Sequence, residues 1–173
     1  MKDLFPRETR TAPAKGVLYL QFRINQQRFA LDVREVLEVL PRRPLKPIAQ
    51  APAWVAGVLA HRGVLVPVID VSALSFGAPA PARSSTRLVL VNYQGDPLQP
   101  GQQLGLILEQ ATDTLRCQPD EFQPYHLDNG QAPYLGPVLQ DERGLLQRIC
   151  VNDLLPDAVR QLLYPSQNGQ VPT

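Results

Sequence analysis

The chain has 173 residues, 44% of them apolar, and its charge is nearly balanced, with 17 basic against 16 acidic side chains. That is enough apolar material for one domain or two small interlocked subdomains, and it argues against wholesale disorder. The balance also argues against a nucleic-acid binder, which carries a basic excess on one face. No apolar run reaches the roughly 18 residues of a membrane-spanning helix, and the polar start MKDLFPRETRTAPAKG lacks a secretory core. Two cysteines, Cys117 and Cys150, make no disulfide framework at this size and read as small buried apolar residues in a cytoplasmic protein.

Eighteen prolines and eleven glycines fall between short apolar runs rather than in one tract, the punctuation of a β-rich fold. Residues 1–15 are polar and read as a flexible tail. Residues 17–24 alternate, with Leu18, Leu20, Phe22 and Ile24 on one face and Tyr19, Gln21 and Arg23 on the other, the pattern of a half-buried strand. Asn25-Gln26 is a hairpin turn, and residues 27–31 return with Phe29 and Leu31 buried. Asp32 caps a helical turn over 33–36, ahead of a strand at 37–40. Residues 41–52, PRRPLKPIAQAP, have too many prolines for a central strand and form a loop carrying Arg42, Arg43 and Lys46.

The most informative stretch follows. Residues 57–61 and 64–69 are two apolar runs joined by Arg62-Gly63, so a long charged side chain stands at the tip of a tight hairpin, presented for recognition rather than packing. Asp70 caps a short helix to Phe76, and 77–85 is a small-residue linker. Strands are expected at 87–93, 103–109 and 112–117, then a helical turn at 119–122 with proline at its first position. Residues 123–133 read as irregular. A last hairpin, 134–139 and 145–151, turns around 141–144, and 157–163 form a short amphipathic helix. Nine or ten short strands with turns every 8–12 residues indicate an all-β fold, two small barrels. The boundaries are a tail at 1–15, one folded unit at 16–164 made of two barrel subdomains, and a flexible tail at 165–173.

Catalytic chemistry is sparse. There are two histidines, His61 and His126, and no zinc-spaced cysteines, nucleophile elbow or phosphate-cradling loop. His61 reads as an exposed residue near a turn. Glu38 reads as the outward residue of a half-buried strand and Asp70 as a helix cap, with nothing in the sequence bringing the two carboxylates together for acid–base work. PRRP and PLKP match the P-x-x-P pattern but read as plain extended loop. Arg42, Arg43 and Lys46 form a local basic patch whose ordinary reading is solvated surface. No catalytic residue, metal site or cofactor is expected; the protein works by binding.

The segments FRINQQRFALDV, VLEVL and PAWVAGVLAHRGVLVPVID, with LGLILE further on, resemble the CheW-like coupling domain of bacterial chemosensory systems over about residues 17–163. Gly57-Val58-Leu59, Arg62-Gly63 and Pro67-Val68-Ile69-Asp70 carry most of the likeness. The resemblance implies two intertwined five-stranded SH3-like β-barrels, and a non-catalytic scaffold joining methyl-accepting chemotaxis receptors to the regulatory domain of a CheA-type histidine kinase. It implies receptor or array contact at Arg62 with His61 and Gly63, and kinase contact at Val36, Leu37, Glu38 and Val39. It implies as well that the groove between the barrels takes the receptor tip, and that the protein sits in the cytoplasm on membrane receptor arrays without entering the membrane.

The sequence departs from the family where asparagine usually stands and Ala60 is found, and where His61 replaces an apolar or aromatic residue. A specialised surface-sensing system of the Wsp type, with a WspB-like adaptor and a cyclic-di-GMP output, fits these departures. Two readings from other classes stay open: a small-molecule-binding β-barrel sensor that uses the inter-barrel groove as its pocket, and a scaffold that assembles into rings with itself.

Overall fold

The structure, a computed structural model, describes residues 16–125 and 132–165. Ten strands occur among them: β1 (Val17–Ile24), β2 (Gln27–Asp32), β3 (Val36–Pro41), β4 (Val55–His61), β5 (Val64–Asp70), β6 (Arg87–Tyr93), β7 (Gln102–Leu108), β8 (Asp113–Cys117), β9 (Leu135–Asp141) and β10 (Gly144–Ile149). Two short helices, α1 (Val71–Phe76) and α2 (Asp157–Leu163), follow β5 and β10 respectively. The tails expected at 1–15 and beyond residue 165 lie outside the described residues, as does His126.

The strands form two five-stranded sheets, β8-β1-β2-β10-β9 and β3-β6-β7-β5-β4. The fold is all-β, two barrel-type sheets as expected. The first takes its strands from both ends of the chain and the second takes β3 to β7, so the chain leaves one barrel after β2 and returns to it at β8. Each sheet holds one parallel pair, β10 with β2 and β5 with β7, among antiparallel neighbours. Position by position, β8, β9, β10, β1 and β2 correspond to β3, β4, β5, β6 and β7. The two barrels therefore share one plan, with the chain entering the first of them part-way through.

Period-two alternation sorts the side chains into three cores. Leu20, Phe22, Ile24, Phe29 and Leu31 from one barrel meet Val89, Val91, Leu104, Leu106 and Leu108 from the other in a shared central cluster. The opposite faces of the same strands fill the barrels, with Leu88, Leu90 and Ile107 in the second barrel and Tyr19 and Ala30 in the first. The expected polar outward face of β1 is thus corrected. Tyr19 is fully buried and Gln21 nearly so, because closure of the sheet turns that face inward and leaves β1 covered on both sides.

Several element ends shift by a residue or two. Val33–Glu35 form a 3-10 turn capped by Asp32, whose carboxylate accepts from the Arg34 N–H at 2.8 Å, and Val36 already belongs to β3. Asp70 ends β5 and also caps α1, accepting from the Ala73 N–H at 3.1 Å. Pro67 lies one residue before the ladder to β7 begins at Val68, a position where a missing N–H is tolerated. Cys117 is buried as expected, but Cys150 is half-buried and stands outside β10 at the start of a 3-10 turn.

The proline-rich loop crosses the outer edge of β4. Lys46 and Val58 exchange both backbone hydrogen bonds, at 3.0 and 2.8 Å, and Leu45 packs on the second barrel's core. Gly57 permits this approach, since a Cβ there would lie 2.5 Å from the Lys46 carbonyl oxygen, and its φ is +145°. The strap covers an edge that would otherwise offer open ladder groups to another chain.

Candidate functional site

The tip of the β4–β5 hairpin is built by Arg62 and Gly63, with φ of 52° and 79°. Two successive residues in the left-handed region make the tight turn whose twist suits a two-residue hairpin. A Cβ on Gly63 would meet nothing within 4 Å, so glycine is there for its backbone freedom and not for space. Arg62 takes the same conformation at some steric cost, which fixes the direction in which its side chain leaves the turn.

That side chain is 75% exposed, and its guanidinium donates to a Glu38 Oε2 at 3.1 Å. The other Glu38 oxygen accepts from Nε2 of His61 at 2.9 Å. With an ionised carboxylate opposite, that ring nitrogen carries the proton. The His61 side chain is only 10% exposed; the expectation of a merely exposed histidine is corrected. Burial beside the hairpin and a carboxylate partner on β3 hold it in place. The His61 hydrogen bond first, and then the Arg62 charge, keep the Glu38 carboxyl below its ordinary range.

Glu38 reaches the hairpin because β3 and β4 are the two ends of the second sheet. Closure into a barrel brings these edges together, and a side-chain clasp spans them. The pairing of β3 with β6 slips between Val36 and Glu38, so Leu37 is the extra residue of a β-bulge. Leu37 and Val39 stand exposed at 52% and 46%, while Val36 packs against the central core. On the other side of the clasp, Val64 and Leu65 are also exposed, Leu65 at 73%.

The residues expected to meet two different partners are thereby joined. His61, Arg62 and Gly63 from the hairpin and Leu37, Glu38 and Val39 from β3 lie at one rim of one barrel, where Glu38 touches both His61 and Arg62. Val36 stands apart, turned inward. Sequence reading missed Val64 and Leu65, because residues 64–69 are apolar throughout and an unbroken run does not reveal which members face out. Asp70 caps α1 as expected, and Glu38, read as the outward residue of its strand, engages the hairpin.

The junction of the barrels holds a separate cleft of about 270 Å³, lined by Asp32, Arg34, Glu35 and Arg148 among others. Asp32 pairs with Arg34 at 2.7 Å and Arg148 at 3.5 Å, and burial pushes the Glu35 carboxyl up. Charged side chains converge here. They come from β2, the turn after it and β10, segments too far apart in the chain for spacing to connect. Among the described residues no cluster of histidine, cysteine and carboxylate side chains could hold a metal, and no helix is long and apolar enough to cross a membrane.

The family model for the CheW-like domain matches residues 18–159. The chain belongs to the CheW-like domain family. It is 30% identical over 105 residues to a chemotaxis protein CheW of Rhizobium meliloti, an alignment covering 61% of this chain and 64% of that one. The chain thus spans a little under two thirds of that relative's length. A chemotaxis protein CheW of Bacillus subtilis aligns over 154 residues at 21% identity, covering 88% of this chain and 95% of the relative. The crystal structure of a CheW scaffolding protein from Thermoanaerobacter tengcongensis superposes with a TM-score of 0.68 at 18% identity, covering 78% of this chain and 84% of that one. That likeness bears on the fold alone.

Proposed function

We propose that this chain is a non-catalytic adaptor of a bacterial chemosensory array, joining the regulatory domain of a CheA-type histidine kinase to methyl-accepting receptors, in a specialised system of the Wsp type. The observation that carries the reading is the shared Glu38 carboxylate. It sets an exposed arginine between two exposed apolar pairs, Leu37 with Val39 and Val64 with Leu65. An anchoring arginine with apolar neighbours is the composition of an interface centre, and exposed apolar side chains gathered at the rim of one barrel mark a docking surface. Leu37 and Val39 suit the barrel of the kinase. Arg62, freed from Glu38 or sharing it, reaches the receptor or the neighbouring protomer. His61, in place of an apolar or aromatic residue, ties the turn to β3 and tunes which receptor is accepted.

Charge reversal at Arg62 tests this reading. Arg62→Glu sets a second carboxylate against Glu38 at an exposed turn, so the fold survives. Loss of a well-placed interface arginine typically costs roughly 2 kcal/mol or more, about thirtyfold in affinity. Co-purification of the full chain with the kinase and receptor of its own cells should therefore fail. Unchanged co-purification with a correctly folded variant refutes the reading.

A further inference from the structure

The other barrel carries a second feature, at the end where the β1–β2 and β9–β10 hairpins turn. A cavity of about 420 Å³ opens there, lined by Arg23, Arg28, Arg143, Tyr125 and Leu145 together with amide side chains and two further apolar residues. None of its lining residues carries a carboxylate. The volume is that of a small-molecule site, and the mouth of a β-barrel is one of the places where such sites form.

Among the described residues the positive charge of this cavity is only partly balanced. Arg23 and Arg28 stand directly opposite one another in the β1–β2 ladder, which puts both side chains on one face, and like charges so placed repel. Asp141 answers Arg28 with two hydrogen bonds, at 2.8 and 2.9 Å, and also accepts from the Arg143 backbone N–H at 2.8 Å. That carboxylate therefore pairs with one guanidinium, that of Arg28, and meets Arg143 only through its backbone. Among the described residues no side-chain partner meets Arg23 or Arg143, and the buried Nε of Arg28 has none either. Leu145 adds an apolar surface, 56% exposed, and Tyr125 an aromatic one. In the equivalent hairpin of the other barrel, Arg62 has its glutamate; among the described residues no carboxylate is paired with the Arg143 guanidinium.

We infer that this barrel mouth is a binding site for a small organic anion, a dianionic head group held between Arg23 and Arg143 with an apolar or aromatic body resting on Leu145 and Tyr125. Phosphate monoesters and aromatic dicarboxylates share that chemistry. The site lies on the opposite barrel from the Glu38 clasp and stands independently of the adaptor reading.

Titration of the full chain, followed by thermal shift and by amide NMR, tests the assignment with phenyl phosphate, phthalate, inorganic phosphate and benzyl alcohol as probes. Phenyl phosphate or phthalate should bind saturably, raise the melting temperature and move the amide signals of residues 23–28 and 143–147. Whichever of the two binds tighter identifies the head group. Inorganic phosphate should bind about tenfold more weakly or worse, and benzyl alcohol not at all. Arg23→Gln and Arg143→Gln should each weaken binding about tenfold. Arg23→Gln should at the same time raise the melting temperature of the free protein by removing the cross-strand repulsion. Absence of saturable binding of both organic anions up to about 10 mM, where even millimolar affinity registers, overturns the assignment. So does undiminished binding by the double variant, and so does a lower melting temperature for free Arg23→Gln, which would make Arg23 a structural residue.

Discussion

In the barrel of β3 to β7 the inward faces carry Leu40, Leu59, Val66 and Leu88, and the charged residues Glu38 and Arg62 meet at its rim. In the barrel of β8, β1, β2, β10 and β9 the corresponding interior holds Gln21 and Arg28, with Arg28 only 5% exposed, donating to Gln21 at 3.1 Å and to Asp141. Both hairpins carry an Arg-Gly pair, but the second is displaced by one residue relative to its turn. The left-handed backbone falls on Arg62 and Gly63 in one and on Gly144 in the other. The shift decides where charge can go. At the first hairpin the arginine is at the tip and free to be read by a partner. At the second, the carboxylate of Asp141 is locked to an interior arginine, and its ion pair serves the fold. Two copies of one plan have thus divided contact and cohesion between them.

The largest expected effect breaks the cohesive half. Arg28→Ala leaves Asp141 without its partner and the interior amide of Gln21 unsatisfied, and removal of one member of a buried pair costs about 3 kcal/mol or more. Urea denaturation should register a loss of that size, whereas Arg62→Ala should change stability by less than about 0.5 kcal/mol. Equal losses at the two sites would erase the distinction. The same pair has a pH signature. Arg28 holds Asp141 well down, to about 2 from the usual 3.8. A depressed folded-state value contributes stability above the unfolded one, so this contribution is complete above about pH 4 and disappears as pH falls towards 2. Arg28→Gln should flatten the stability profile in that acid window.

Next in size is the strap across β4. Gly57→Ala forces a Cβ against the Lys46 carbonyl in a backbone region that side chains avoid, at about 1–3 kcal/mol, and a melting curve would detect it. Smaller still is Leu65→Asp. It should leave the melting temperature within about 1 °C, because an exposed position far from the core tolerates the change, yet weaken partner binding about tenfold if the apolar rim is part of the interface. Unaltered binding would confine contact to Arg62 and β3. The smallest effect is acid loosening of the clasp. Glu38 is held below 4.5 by His61 and Arg62, so the contact persists through neutral pH and gives way only as pH drops below that value. NMR of the His61 ring should follow the change, and Glu38→Gln should abolish it.

The strands were legible because alternation and turn chemistry act locally: Asn25-Gln26 and Arg62-Gly63 both take the positive φ that hairpins require. What stayed hidden depends on closure. Gln21 and Arg28 look like outward polar residues in an isolated strand and become interior ones only once the sheet bends round on itself. Glu38 and His61 lie 23 residues apart, and no periodicity links them; the barrel seam does. The exposure of Leu65 was masked by its apolar neighbours on both sides. The candidate site was therefore readable as a list of residues but not as a surface.

The order of strands along the chain also sets a timetable. The β3 to β7 barrel is complete once residue 108 has left the ribosome, because all five of its strands lie between residues 36 and 108. The other barrel must hold β1 and β2 in waiting until β10 arrives at Gly144–Ile149. Contacts that close over more than a hundred residues form late and slowly. During that interval the faces of β1 and β2 that will line the barrel have no cover, and the arginines and glutamine on them make that face more soluble than an apolar one would be. The polar interior that marks this barrel in the finished protein is thus also what helps its first two strands wait.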